Sequence, residues 1–237
     1  EQQIDGILVS ARKDIKFGSV VHRLVYGSEY YSTENKTLRD GGTTEALTGV
    51  TVREFFPLPT RDFPVTKVDQ LAFFVQDEIE LMNGRLILSP GIRYDDFEAK
   101  ATADAVYLAG NPGISAPEDF SDSEVTAKLG VVYEFTSDLS IYGNVSEGFR
   151  APPYDDVNVG FTNFIGGYKT ISNAALESET SIGYEIGTRL RGGWGSVNVA
   201  VFKNDYDNFI ESLATAPAFA GSGGIDPADG LLTFQSV

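Results

Sequence analysis

The sequence predicts an all-β fold, an antiparallel transmembrane β-barrel of which about nine strands are present. Three observations carry this. Apolar and polar residues alternate with period two over successive runs, as half-buried strands require. Helical periodicity is scarce. The connections also alternate: short turns fall near residues 15–18, 82–84, 137–138 and 192–195, and long polar or Gly/Pro-rich stretches near 37–65, 99–122, 151–178 and 211–230. Short turns at one end and long loops at the other is the layout of outer-membrane barrels. A soluble sandwich has shorter links and Greek-key jumps.

The elements follow in order. Gln3 to Asp14 and Ser19 to Asn35 pair around Ile15 to Gly18. Leu71 to Leu81 places Leu71, Phe73, Val75, Ile79 and Leu81 on one face, with Asp77 as the exception, and Gln76, Glu78 and Glu80 on the other, with Ala72 and Phe74 nearer its start. Asn83-Gly84 is a favoured two-residue hairpin signal. Arg85 to Phe97 sets Leu86, Leu88, Ile92 and Tyr94 against Arg85, Ser89, Gly91, Arg93 and Asp95. Val125 to Thr136 and Leu139 to Gly148 make a second hairpin around Ser137-Asp138. Ile182 to Leu190 and Val197 to Phe209 make a third around Gly192 to Gly195. The final run, Leu231 to Val237, is the ninth strand, cut by the end of the sequence. One apolar and one polar face per strand suits lipid outside and a hydrated or plugged lumen inside, because every backbone amide must be paired within hydrocarbon.

Composition narrows the function. No run of about 18 apolar residues offers a transmembrane helix, a fact that leaves barrel strands untouched. Cysteine is absent, which excludes a disulfide scaffold and a thiolate metal site. The formal charge of −16, from 34 acids and 18 bases, makes nucleic acid a poor partner. The opening Glu1-Gln2-Gln3-Ile4 has no initiator Met, basic region or apolar core, and both ends read as cuts through a longer protein.

The most informative stretch is Tyr142-Gly143-Asn144-Val145-Ser146-Glu147-Gly148-Phe149-Arg150-Ala151-Pro152, with Asn173-Ala174-Ala175-Leu176-Glu177-Ser178-Glu179-Thr180-Ser181 after a long loop. It resembles the strand end and the "Asn-Pro-x-Leu-x-x-Glu" segment of TonB-dependent outer-membrane receptors, with Ala174 in place of Pro. Tyr184-Glu185-Ile186-Gly187 and Asn204 to Ile210 resemble the family's next hairpin. Asp156 to Asn163 points to the haem, haemoglobin and transferrin receptor branch. The resemblance implies a closed barrel of about 22 strands around an N-terminal plug. Residues 1–237 are then part of the barrel domain, with the plug and the C-terminal strands absent from them. It implies transport of haem or iron, taken from haem proteins or carriers, coupled to TonB through the plug, in a Gram-negative outer membrane. It implies outer-membrane lipid as surroundings, haem as a transported ligand rather than a cofactor, and no enzymatic activity. A siderophore, cobalamin or glycan receptor is the alternative within transport. A soluble or surface β-sandwich that binds through acidic loops is the alternative from another class.

Roles follow for the motif residues. Pro152-Pro153 stops the strand, since proline cannot serve the ladder. Phe149 anchors the strand end. Arg150 pairs with a loop carboxylate such as Asp155 or Asp156, or meets an acidic group of the cargo. In the haem branch a loop His ligates the iron, yet Pro153 to Ser172 contains no His. Tyr154 and Tyr168 are the substitutes, since tyrosinate holds ferric haem. Tyr168, in Gly166-Gly167-Tyr168-Lys169, is expected closest to the cargo; the plain alternative is a packing tyrosine. The single histidine, His22, belongs near a short-turn end, and one His cannot build a metal site. Asp95-Asp96 and Asp205/Asp207 read as strand ends and solvation rather than an acid/base pair. Gly221 to Gly224 is loop material. Asp226 to Asp229 offers carboxylates to calcium, but the spacing matches no known loop.

Overall fold

The computed structural model describes residues 1–52, 58–111, 116–163 and 166–237. Parts of three predicted loops, at 53–57, 112–115 and 164–165, lie outside the described residues. Strand β1 (Gln2–Phe17) turns at Gly18-Ser19 into β2 (Val20–Asn35), with Phe17 opposite Val20 and Gln2 opposite Asn35. Gly18 sits at φ +61, the left-handed conformation that favours glycine. The strand thus runs through the predicted turn at 15–18. The first long loop carries a small hairpin, β3 (Thr43–Thr44) and β4 (Thr51–Val52). Then come β5 (Val65–Gln76), β6 (Ile79–Leu81), β7 (Leu86–Thr102), helix α1 (Ala105–Gly110), β8 (Phe120–Glu134) and β9 (Leu139–Arg150). The motif loop holds α2 (Tyr154–Asn158), β10 (Phe161–Asn163) and β11 (Tyr168–Ile171). β12 (Glu179–Gly192) and β13 (Gly195–Asp207) follow, then β14 (Ala214–Thr215), a 3-10 turn (Pro217–Ser222) and β15 (Leu232–Gln235).

Nine strands form one antiparallel sheet in the order β1-β2-β5-β7-β8-β9-β12-β13, with β6 between β2 and β7. Consecutive long strands are neighbours throughout, the up-and-down meander of a barrel wall. The count of nine matches the sequence reading, but its ninth member differs. Leu231 to Val237 joins a separate four-stranded loop sheet, β10-β11-β15-β14, where β15 runs parallel to β11. The ninth strand is β6, the continuation of β5. Register holds across the gap, with Gln76 opposite Gly91 and Ile79 opposite Leu88. Pro90 therefore faces Asp77. It accepts from Asp77 N–H at 3.0 Å but has no N–H to give back, and the ladder breaks there. The Asn83-Gly84 turn is longer than expected: Leu81 pairs with Leu86, and Met82, Asn83 and Gly84 take φ values of 55, 58 and 87.

Register assigns the faces. Tyr26, Val75, Ile92 and Ala127 stand side by side across four strands. Tyr26, Phe73, Val75, Ile92, Val125 and Ile186 are exposed on this face. So large an open apolar surface fits lipid rather than water. Phe17, Phe135 and Trp194 are exposed at the short-turn end, where aromatic belts mark a membrane interface. The opposite face is polar. Arg93 bridges Glu29 at 2.9 Å and Asp95 at 2.8 Å, and Arg23 bridges Glu78 at 2.5 Å and Glu80 at 2.6 Å. No helix among the described residues is long and apolar enough to cross a membrane.

Candidate functional site

The long-loop end gathers the motif residues because β9 and β12 are direct neighbours. Their register places Arg150 opposite Glu179, so the two motif halves, separated by a long loop, meet as a cross-strand pair. Arg150 Nη1 lies 2.9 Å from Glu179 Oε2, and Glu179 Oε1 accepts the Ile210 N–H at 2.8 Å. Glu179 is buried, while the Arg150 side chain remains 62% exposed. The expectation that Asp155 or Asp156 would take Arg150 is corrected: a strand partner is held at fixed spacing, whereas those aspartates leave on α2. Asp156 instead accepts from Ser212 Oγ at 3.1 Å and Ser236 Oγ at 2.6 Å.

The other motif residues complete a clip. Pro152 is fully buried where β9 stops. Leu176 packs with Val157 and Ile210 in the one hydrophobic cluster found among the described buried residues. Asn173 Oδ1 accepts the Ala175 N–H at 3.0 Å, and its Nδ2 donates to the Ser236 carbonyl at 2.9 Å. Phe149, half-buried opposite Thr180, lines a concavity of about 430 Å³ with Arg150, Ala151, Glu29, Arg93 and Phe97. This hollow lies on the polar face of the sheet, beneath the motif loop.

The two candidate tyrosines fall in different aromatic clusters. Tyr168 on β11 sits with ring centroids 5.9 Å from Phe161 and 6.3 Å from Phe234. The Arg39 guanidinium lies over Phe161 at 4.9 Å. Tyr154 opens α2 and meets Phe63 edge-on at 5.3 Å. Burial, reinforced by Asp155, pushes the Tyr154 phenol above its ordinary range, which disfavours tyrosinate. Burial likewise raises the Asp155 carboxyl. His22 lies near the short turn, as expected, with Nδ1 2.6 Å from Asp77 Oδ2. Among the described residues no group of three or more His, Cys, Asp or Glu could hold a metal ion.

The loop sheet was not legible as such. Lys169 on β11 reaches Asp226 at 2.6 Å and Asp229 at 2.7 Å, which gives the acidic pair left open for calcium a cationic partner instead. The β-forming runs Tyr168–Ile171 and Leu232–Gln235 were the available signal. Sequence reasoning also missed Arg61, only 5% exposed, whose Nε lies 2.9 Å from Asp104 while its Nη1 donates to the Thr37 carbonyl. Asn158 pairs reciprocally with the Glu118 backbone at 2.9 and 2.8 Å, and Gly160 N–H donates to the Asp62 carbonyl at 2.8 Å. These bonds tie neighbouring loops together.

The Lys169 hydrogen bonds, with backbone N–H groups of Ala228 and Leu231, hold Asp226 and Asp229 below the ordinary value of 3.8. Depressed carboxylates stabilise above the unfolded pKa and lose that contribution as pH falls through the folded one. The protection factors of the Leu232–Gln235 amides, each rate taken relative to intrinsic exchange at the same pH, are therefore expected to be high at neutral pH and to fall as pH drops below about 4. Equal protection factors at pH 7 and pH 3 would show that the Lys169–Asp226 and Lys169–Asp229 pairs do not hold β15 in place.

The chain matches the family model described as "TonB dependent receptor-like, beta-barrel" over residues 3–237. It is 25% identical over 225 residues to the "Ferrienterobactin receptor" of Escherichia coli (strain K12), covering 88% of this chain and 26% of that protein. It is 30% identical over 132 residues to the "Hemoglobin-haptoglobin utilization protein B" of Neisseria meningitidis serogroup C, covering 54% and 16%. Among solved structures, the Serratia marcescens hemophore receptor HasR, a double mutant in complex with its hemophore HasA and heme, superposes with TM-score 0.68 at 16% identity over 100% of this chain and 37% of that one. Ferric citrate transporter FecA in the unliganded form superposes with TM-score 0.61 at 19% identity over 86% and 27%. The chain spans about a quarter of the length of the first of these relatives.

Proposed function

This chain belongs to the TonB-dependent receptor-like β-barrel family, and on that premise we propose that it forms part of an outer-membrane active-transport receptor for an iron-bearing cargo. The lipid-facing and lumenal faces belong to a barrel of the Gram-negative outer membrane. In the proposed receptor the long loops take cargo from outside, and coupling to TonB runs through a plug that fills the lumen. Residues 1–237 are read as a part of the barrel domain.

Two cargo readings stand. Haem or a haem carrier is supported by the Neisseria relative's printed name and by the HasR fold. A ferric siderophore is supported by the ferrienterobactin relative, which aligns with more of this chain. One observation bears on how either is held: Tyr168 and Tyr154 each have their rings against phenylalanines. In this reading the cargo is gripped by its organic shell. Tyr168 and Tyr154 supply ring surface, and exposed Arg150 meets an acidic group. Edge-to-face aromatic contacts contribute about 0.5–1.5 kcal/mol each.

In the complete receptor, Tyr168→Phe keeps the ring and removes the hydroxyl. It is expected to leave haem affinity and the haem spectrum unchanged, while Tyr168→Ala lowers affinity for the true cargo about tenfold, or ~1.4 kcal/mol. A spectral shift in Tyr168→Phe would establish direct ligation instead. Titration with haem and with a ferric catecholate, side by side, separates the two cargo readings.

A further inference from the structure

The ladder between β8 and β9 stops halfway. It runs from Glu134 opposite Ser140 to Lys128 opposite Ser146. Both strands continue past that point, β8 paired with β7 as far as Phe120 and β9 paired with β12 as far as Arg150. Extending the β8–β9 register sets Val125 against Phe149 and Ser123 against Ala151, and neither pair is made. Phe135 N–H donates to the Leu139 carbonyl and Glu134 N–H to the Arg85 carbonyl, so odd-numbered amides of β8 point toward β9 and even-numbered ones toward β7. At the split, odd-numbered amides turn to side chains. Ala127 N–H donates to Glu147 Oε2 at 2.9 Å, and Ser123 N–H to Asp122 Oδ1 at 2.8 Å.

Height explains where the split begins. Val125 lies ten residues from Phe135 at the short-turn end, roughly 33 Å of strand. A tilt near 40° turns that into about 25 Å of height, the full apolar band. From Val125 onward the backbone meets water, which satisfies groups that hydrocarbon would leave unpaired. Two hollows meet there. Thr126 lines the one of about 430 Å³ with Phe149 and Arg150, and also one of about 350 Å³ with Val125, Glu147 and Thr180. Loop contacts bridge the split. Ser178 Oγ donates to Asp122 Oδ2 at 2.5 Å, and Asn158 bonds the Glu118 backbone in both directions. Ser178 and Asn158 belong to the motif loop, whereas Asp122 is on β8 and Glu118 leads into it.

We propose that the outer halves of β8 and β9 form a seam in the barrel wall that opens above the membrane. The motif loop and the outer ends of β9 and β12 swing away from β8 as one piece, and the hollow beneath Arg150 is uncovered from the side. The Arg150–Glu179 pair keeps that piece together, because it joins β9 to β12 and leaves β8 free. β8 stays behind on β7, to which it is paired along its whole outer half. Glu147 sets the lower end of the seam by taking the Ala127 N–H. The seam rests on the membrane placement of the strands, not on the cargo reading.

The test uses the complete receptor in lipid vesicles, with heat-modifiable gel mobility as the sign of a folded barrel. Spin labels at Ser123→Cys and Asp207→Cys span the seam, three strand spacings or roughly 15 Å apart along the sheet. Labels at Glu134→Cys and Ser196→Cys span the same strands at the short-turn end. Ser178→Ala with Asn158→Ala is expected to lengthen the upper distance by on the order of 5 Å, one strand spacing, and to leave the lower one unchanged in pulsed dipolar spectroscopy. An unchanged upper distance in the folded variant, or equal lengthening of both, overturns the seam. Hydrogen exchange of the unlabelled receptor gives a second check without any loop substitution. The Val125 amide is expected to show a protection factor at least about tenfold below those of Glu124 and Thr126. Equal protection at the three positions would mean a closed ladder and overturns the seam as well. Neither readout uses cargo, so the seam and the cargo reading fail separately.

Discussion

Ile92→Arg is expected to destabilise the barrel by about 2–4 kcal/mol, because it puts a guanidinium on the lipid face near mid-height. Ile92 lies six residues along β7 from Leu86 at the short-turn end, roughly 20 Å of strand. A tilt near 40° turns that into about 15 Å of height within an apolar band ~25 Å tall. Val75 and Ala127 flank it on the neighbouring strands, and the carboxylate beyond Ala127, Glu147, already accepts the Ala127 N–H at 2.9 Å. Asn144→Arg supplies the contrast. Asn144 faces the lumen directly opposite Glu185, and its change is expected within about 0.5 kcal/mol. Urea unfolding of the complete receptor from lipid vesicles measures both. Equal destabilisation by the two would mean that the apolar face does not meet lipid.

Leu176→Ala and Glu179→Ala are expected to loosen the motif loop while sparing the wall. Leu176 fills a cluster with only Val157 and Ile210, so its truncation costs about 2 kcal/mol, the low end for a buried leucine. Glu179→Ala unpairs Arg150 and leaves the Ile210 N–H without an acceptor, a loss of about 1–3 kcal/mol. Glu179→Gln keeps an acceptor for Ile210 and loses only the charge, so it falls below Glu179→Ala. The readout is hydrogen exchange: amides of residues 154–178 and 210–236 accelerate at least about tenfold, those of β7 and β8 do not, and cargo affinity falls in step. Faster exchange in β7 and β8 would show that the clip supports the barrel rather than the loops.

The wall was legible because period two is a property of neighbouring residues. Ile79 and Leu81 alternate with Glu78 and Glu80 whatever the rest of the chain does, and lipid on one side rewards that alternation. Turn positions came within a few residues; Gly18 and Asn83 marked them, but strand ends are set by pairing with a neighbour. Pro90 could be seen in the sequence, yet its effect on Asp77 required knowing that the two stand opposite each other. Phe149 to Pro152 and Asn173 to Glu179 pointed by resemblance to the family and to the loop between them; the clip they form came from the β9–β12 pairing. The carboxylate that Arg150 meets is Glu179 rather than the nearby Asp155 or Asp156, because the β9–β12 register, which the sequence does not display, sets it opposite.

By itself, then, the sequence determined the alternating strands, the polarity of the two faces, the order of short and long connections, and the family. Each depends on local patterning or on an ordered motif. The tertiary structure alone decided where the last run of the chain goes, which acid takes Arg150, that Lys169 gathers Asp226 and Asp229, and that His22 meets Asp77 on the lipid face. Those contacts join residues 29 to 64 positions apart. Register across the sheet and parallel pairing between loops create them, and neither leaves a mark on the residues beside them in the chain.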